Sequence, residues 1–174
     1  ICAAGVSNWS PTRVQAANEY AMQSNKHPLI AVSNNIGLAV AKKPHWSGCL
    51  LTDQAAWDWH NENQFPLIPW SSQARGFFSG NFSPDKPDNS HVVDIYYTDD
   101  NFERLNRAQQ LGQEKGCTAI QVALAYVMHQ PFPTFPIFGP ANLDELSSSL
   151  GAVEVELTAK EIQWLNLESG TLAS

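Results

Sequence analysis

Short apolar runs alternate with longer stretches of helical periodicity along this chain, and that alternation limits the fold more than any other feature. It is the pattern of parallel strands joined by crossover helices. Ile1 to Val6 reads as a first strand, after which Ser10 as N-cap and Pro11 as first helical residue open a helix reaching about Ser24. Leu29 to Ser33 is the second strand. A long connection with Gly37, Pro44 and Gly48 leads to a helical segment around Trp57 and Trp59, and Pro66 to Trp70 is the third strand. A second long loop is expected from Ser79 to about Thr98, and then Phe102, Leu105, Ala108 and Leu111 recur at helical spacing. Thr118 with Gln121, Asn142 with Glu145, and Thr158 with Glu161 each have the spacing of a capping box. They place helices at Ala119 to His129, from Asn142 to about Leu150, and after Thr158. The first of these is apolar nearly all round and should be buried. The fourth strand is expected near Phe135 to Phe138.

Four such units cannot close a barrel, whereas eight, with about 250 residues in total, do. Four alone leave two open edges and an uncovered apolar inner face. The chain also begins on Ile1, without an initiator methionine, in what reads as the middle of a buried strand. Upstream sequence or a second copy is therefore expected to complete the structure.

The remaining composition narrows the function. A net charge of -7 disfavours a large nucleic-acid surface, and Lys42 with Lys43 is the only adjacent basic pair. Cys2, Cys49 and Cys117 form neither an even disulfide framework nor paired metal knuckles, which fits a reducing, cytoplasmic setting. His45 and Cys49 lie close in sequence, but two ligands do not make a zinc site, so no metal is expected. No stretch approaches the roughly 18 apolar residues of a membrane span, and no charged-then-apolar leader opens the chain.

In parallel barrels ligands bind at the carboxyl ends of the strands. Those ends read Gly5-Val6-Ser7-Asn8-Trp9, Ser33-Asn34-Asn35, Trp70-Ser71-Ser72-Gln73-Ala74-Arg75-Gly76 and Phe138-Gly139-Pro140-Ala141-Asn142. Ser, Asn and Gln offer donors and acceptors that suit a carboxamide, and an aromatic face beside them suits stacking on a flat heterocycle. Together they suit a nicotinamide. Singly, each has a plainer reading: Ser and Asn after strands usually cap helices, and a tryptophan can simply fill core space.

These four segments, with Ile68 to Phe78 and Phe138 to Leu146 in full, resemble the second half of bacterial aldo-keto reductases, in order and over essentially the whole chain. The resemblance implies an α/β fold, the C-terminal half of a (β/α)8 TIM barrel with about four βα units, in one partial domain. It implies NAD(P)H-dependent reduction of aldehydes or ketones by hydride transfer. It also implies roles. Ser7, Asn8 and Asn35 would bond the nicotinamide carboxamide, Asn35 standing where many relatives carry a longer glutamine. Trp70 would stack on the nicotinamide ring. Ser71, Ser72, Gln73 and Arg75 would wrap the pyrophosphate, and Gly139, Pro140, Ala141 and Asn142 with Ser148 and Ser149 would surround the adenosine. Glu145 stands where phosphate-selective relatives often place an arginine; a carboxylate there repels a 2′-phosphate and suits a ribose hydroxyl instead. Family habit nevertheless favours NADP(H) slightly over NAD(H).

The same resemblance implies a tyrosine acid with a lysine, an aspartate and a histidine, all from the first half of the barrel, and nothing here matches them. Tyr20, Tyr96, Tyr97 and Tyr126 fall on helices or loops, and His27, His60, His91 and His129 read as helix-end or loop residues for which solvation is the default. No catalytic residue is assigned. The expected partner is a small carbonyl compound, with Trp9, Trp46 and Trp70 favouring apolar or aromatic ones. The alternative is a noncatalytic nucleotide-binding half barrel or a regulatory subunit acting through protein partners. A sugar-binding barrel ranks last, because paired carboxylates do not accompany the aromatics.

Overall fold

A computed structural model describes residues 1–87 and 89–171. Two short parallel strands, β1 (Gly5–Ser7) and β2 (Ala31–Ser33), pair with Val6 opposite Val32. Between them runs α1 (Pro11–Gln23), where Ser10 Oγ accepts from the Arg13 amide and Pro11 needs no donor in the first turn. The parallel arc continues through single pairings, Val32 with Leu67 and Leu67 with Thr134, so the four strand positions lie side by side in chain order.

Four regular strands were expected, and here the structure corrects the reading. Only β1 and β2 form a ladder, starting at Gly5 and Ala31 rather than at Ile1 and Leu29, and the fourth position centres on Thr134 rather than on Phe135 to Phe138. The reason is proline. Val32 N–H donates to Pro66 O (3.0 Å) and Val32 O accepts from Ile68 N–H (2.8 Å), and Leu67 exchanges bonds with Pro133 O and Phe135 N–H (2.9 Å each). One step on, Ile137 N–H reaches Pro69 O at 2.8 Å, but Pro69 has no N–H to return. Pro66, Pro69, Pro133 and Pro136 thus reduce the third and fourth strands to extended segments held by isolated pairings, at Leu67 and Trp70 in the third and at Thr134 in the fourth.

Side chains alternate across a sheet. Val6, Val32 and Leu67 face the helices, packing with Val14 of α1, Phe132, and Trp57 and Trp59 of α2 (Gln54–Asn63). Their neighbours Ser7, Ser33, Ile68 and Phe135 share the opposite, inner face, where Phe135 is 60% exposed.

The larger core gathers α3 (Ser90–Tyr96), α4 (Asp99–Lys115), α5 (Ala119–Met128) and α7 (Ala159–Leu165) around a 3-10 segment at Ala74–Ser79. Residues Val122 to Val127 of α5 are all buried, as its apolar circumference requires. Capping boxes form at Thr118/Gln121 and Thr158/Glu161. At α6 (Leu143–Leu150) Asn142 caps, but the Glu145 carboxylate bonds the Ala141 amide (2.8 Å) and Asn142 Nδ2 (3.2 Å) rather than closing the expected box on its cap's own amide. The region from Ser79 to Thr98, read as loop, contains α3: Asn89 Oδ1 caps the Val92 amide, and Val92, Ile95 and Tyr96 are buried at helical spacing.

Two histidines depart from the expected solvation. His60 is buried, its Nδ1 2.7 Å from Phe65 O and its ring stacked on Phe132 at 5.3 Å; burial lowers its pKa, partly opposed by the Phe65 bond. His91 has its Nε2 buried. No described helix is long and apolar enough to cross a membrane.

Candidate functional site

The strand ends come together through side chains that hold one another. Ser7 Oγ donates to Ser33 O (2.7 Å), Asn34 Oδ1 accepts from the Asn8 amide (2.8 Å), and Asn34 Nδ2 donates to Trp9 O (2.9 Å). Asn34, quoted in the sequence motif without a role, is therefore what locks the first turn to the second. Asn8 adopts a left-handed φ of 58°, which asparagine tolerates. Its Oδ1 accepts from the Leu50 amide (3.0 Å) and its Nδ2 lies 3.3 Å from Ser7 Oγ. Asn35 pairs with Trp70 and donates Nδ2 to Trp70 O at 2.9 Å. Ser7, Asn8, Asn35 and Trp70 thus line adjacent strand ends.

The other expected residues border a cleft of about 1090 Å³. Ser71, Ser72, Gln73 and Arg75 form one side, and Gly139, Pro140, Glu145, Ser148 and Ser149 the other. Ala141 and Asn142 are not part of its lining; they serve the start of α6. Ser7, Asn8, Asn35 and Trp70 do not line it either. Ser72 Oγ reaches both Pro69 O (3.1 Å) and Ile137 O (3.0 Å), tying the third strand position to the fourth, and Gln73 Nε2 donates across the cleft to Ser149 Oγ (3.0 Å). Ser71, Ala74, Arg75 and Gly76 all have positive φ (54°, 49°, 54° and 82°). Three are not glycine, and backbone strain of roughly 1–3 kcal/mol apiece is characteristically kept at ligand-binding turns. Arg75 is exposed and forms no salt bridge among the described residues. The cleft joins hydroxyls and this guanidinium to apolar walls such as Phe78, Ile120 and Phe138, and its polar side fits an anionic, phosphate-bearing group. The Glu145 carboxylate opposes it on the far side, already engaged in helix capping.

Residues 1–166 match the model of the aldo/keto reductase family. The chain belongs to that family. Among its curated relatives it is 23% identical over 168 residues to versiconal hemiacetal acetate reductase of Aspergillus parasiticus, covering 92% of this chain and 46% of the relative. It is 29% identical over 103 residues to probable aldo-keto reductase 1 of Glycine max, covering 56% and 30% respectively. A solved thermostable aldo-keto reductase, Tm1743 in complex with the inhibitor epalrestat, superposes with a TM-score of 0.61 at 16% identity, over 95% of this chain and 47% of that one. The shared fold is thus a partial aldo-keto reductase barrel, rich in helix and poor in regular strand. The chain spans less than half the length of these relatives.

Within the described part of this aldo/keto reductase chain, no cluster of three or more His, Cys, Asp or Glu side chains could hold a metal. Tyr96 and Tyr126 are buried on α3 and α5, where burial raises both phenol pKa values, and neither stands at a strand end.

Proposed function

We propose that this chain is the C-terminal half of an NAD(P)H-dependent aldo/keto reductase barrel, holding the cofactor while the acid that protonates the carbonyl oxygen comes from the other half. The observation that carries this reading is the gathering of two sequence-distant segments, Ser71 to Arg75 and Gly139 to Ser149, around one cleft beside the Ser7, Asn8 and Asn35 strand ends. When bound, the nicotinamide supplies the hydride that reduces an aldehyde or ketone.

This chain's residues orient and hold it. Ser7, Asn8 and Asn35 fix the carboxamide, and the Trp70 ring gives the heterocycle a flat support. Ser71, Ser72, Gln73 and Arg75 take the pyrophosphate, and Gly139, Pro140, Glu145, Ser148 and Ser149 border the adenosine, with Ala141 and Asn142 holding the start of α6 behind them. The Arg75 contact with the pyrophosphate is common to both dinucleotides, and family habit favours NADP(H) slightly over NAD(H). The substrate is a small carbonyl compound, and the free cysteines Cys2, Cys49 and Cys117 suit a cytoplasmic protein.

Fluorescence titration of the full-length protein tests the reading. Arg75→Ala is expected to weaken NADPH by about tenfold, the value of one charge-assisted phosphate contact. Trp70→Ala should abolish most of the quenching. NADPH affinity unchanged in Arg75→Ala would remove the cleft from cofactor binding, and quenching unchanged in Trp70→Ala would remove Trp70 as the ring support. A protein that binds NADPH but turns over no aldehyde is the noncatalytic alternative.

A further inference from the structure

A second hollow, of about 310 Å³, shares no lining residue with the cofactor cleft. It falls at the lower end of the roughly 300–1,000 Å³ of small-molecule sites. One wall is the stretch that follows β2, and the others come from α2, α4, α5 and the turn after α7. Of the strand-end set Ser7, Asn8, Asn35 and Trp70, only Asn35 touches it. The hollow therefore belongs to the outer, helical layer of the barrel, apart from the mouth where a carbonyl would react.

Most polar side chains around it are spent on one another. Trp57 Nε1 donates to Gln130 Oε1 (2.8 Å), Gln54 Nε2 to Asp58 Oδ1 (2.8 Å), Tyr126 Oη to Asn166 Oδ1 (2.6 Å), and Asn166 Nδ2 to Glu168 Oε1 (3.0 Å). Two side chains are left over. Thr52 Oγ1 is buried with no hydrogen-bond partner among the described residues, and half-buried Arg104 forms no salt bridge among them. The Arg104 guanidinium reaches only Asn101 Oδ1, at 3.4 Å, an oxygen that already accepts from the Val40 amide at 2.9 Å. A guanidinium carries five N–H donors, so most of these are unspent. Burial lowers the Arg104 pKa, while Asp100, one turn back on α4, favours its charge without pairing with it. A cation partly withdrawn from water calls for an anion to complete it.

The walls limit what that anion can be. Ile36, Val40 and Leu51 are apolar and the Trp57 ring joins them, a lining that rejects a fully hydrated ion. Exposed Glu168 repels a second negative charge on the same ligand. We propose that this hollow is a second ligand site, for a small monocarboxylic acid with an apolar body, its carboxylate on Arg104 and Thr52 and its body against Ile36, Leu51 and Trp57.

Calorimetric titration of the full-length protein with hexanoate, hexylamine and inorganic phosphate tests it. Hexanoate should bind about tenfold more tightly than the other two, the scale of one charge-assisted contact. Arg104→Met, which keeps an unbranched side chain in place, should weaken hexanoate about tenfold, and Thr52→Val about threefold. Glu168→Gln should tighten it, because a repulsion is lifted, and Arg75→Ala in the other cleft should leave it unchanged. If Arg104→Met fails to fold, Thr52→Val and Glu168→Gln decide the matter. No detectable hexanoate binding, hexylamine or phosphate binding as tightly, or hexanoate affinity that survives Arg104→Met and Thr52→Val would each overturn the site. Hexanoate binding lost in Arg75→Ala would place the acid in the cofactor cleft instead. Leucine binding more tightly than hexanoate and weakening in Glu168→Gln would overturn the monocarboxylate class in favour of a ligand that also carries an ammonium group.

Discussion

Asn101 is fully buried near the start of α4, and its side-chain amide is spent entirely on backbone and neighbours. Oδ1 accepts from the Val40 amide (2.9 Å) and from Arg104 (3.4 Å), while Nδ2 donates to Val40 O and Tyr96 O, both at 2.8 Å. One side chain thus clips the long connection after β2 to the end of α3, fixing the Val40 wall of the hollow that holds Arg104. Asn101→Ala leaves the Val40 amide and two carbonyls without partners, at about 1–3 kcal/mol for each buried group left unsatisfied, so a loss of about 3 kcal/mol is expected. Asn101→Asp should be at least as damaging, because a carboxylate would face the Val40 and Tyr96 carbonyl oxygens. Urea denaturation of the two variants checks both; a loss under about 1 kcal/mol would mean that water replaces the clip.

Element by element, local chemistry was the readable part. The hinge between α4 and α5 shows why, and yields a prediction. Gly116 ends α4 with φ 70°, the Cys117 amide returns to Gly112 O (2.8 Å), and α5 starts at once behind Thr118. A Cβ on Gly112 would lie 2.7 Å from Cys117 O and 3.3 Å from Thr118 C, both backbone atoms. Alanine's helix preference, worth about 1 kcal/mol, is opposed by an overpacking cost of about 1–3 kcal/mol, and the clash wins because backbone cannot swing away. Gly112→Ala is therefore expected to lower the melting temperature by several degrees; an unchanged or raised value in a thermal melt would show that the turn can open. Caps such as Ser10, Thr118 and Thr158 and the apolar circumference of α5 act within a few residues, and the sequence displays them. The prolines that cut the third and fourth strands were equally visible, but their effect depends on which neighbour needs the missing N–H, a matter of pairing. The Asn89 cap of α3 is hard to tell from sequence, because Asp88-Asn89-Ser90 also reads as a turn; Asp88 itself lies outside the described residues. In the site, the segments Ser71 to Arg75 and Gly139 to Ser149 were readable as runs following strands. That Ser7, Asn8, Asn35 and Trp70 lie beside the cleft rather than in its lining was not, nor was the hollow holding Thr52 and Arg104, whose walls come from segments far apart in the chain.

At the scale of the whole molecule, the sheet has one finished face and one bare one. Toward the helices, Val14, Val32 and Leu67 are 0–2% exposed. On the other side Ile68 is only partly covered, Phe135 is 60% exposed and Ile137 50%. Such an apolar surface at the centre of a parallel arc costs about 25 cal/mol for each Å² left in water, a strong drive toward any partner that buries it. The 174-residue chain prepared alone is therefore expected to self-associate, with sedimentation velocity showing dimers or larger species at micromolar concentration. Phe135→Glu should shift that population toward monomer, because a carboxylate on the bare face resists dehydration, while leaving the helix-facing core and the far-ultraviolet dichroism as they are. A wild-type chain that stays monomeric would mean that Phe135 and Ile137 are tolerated in water. Association unaffected by Phe135→Glu would place the contact elsewhere, with the exposed Leu143 and Leu150 on α6 the next surface to change.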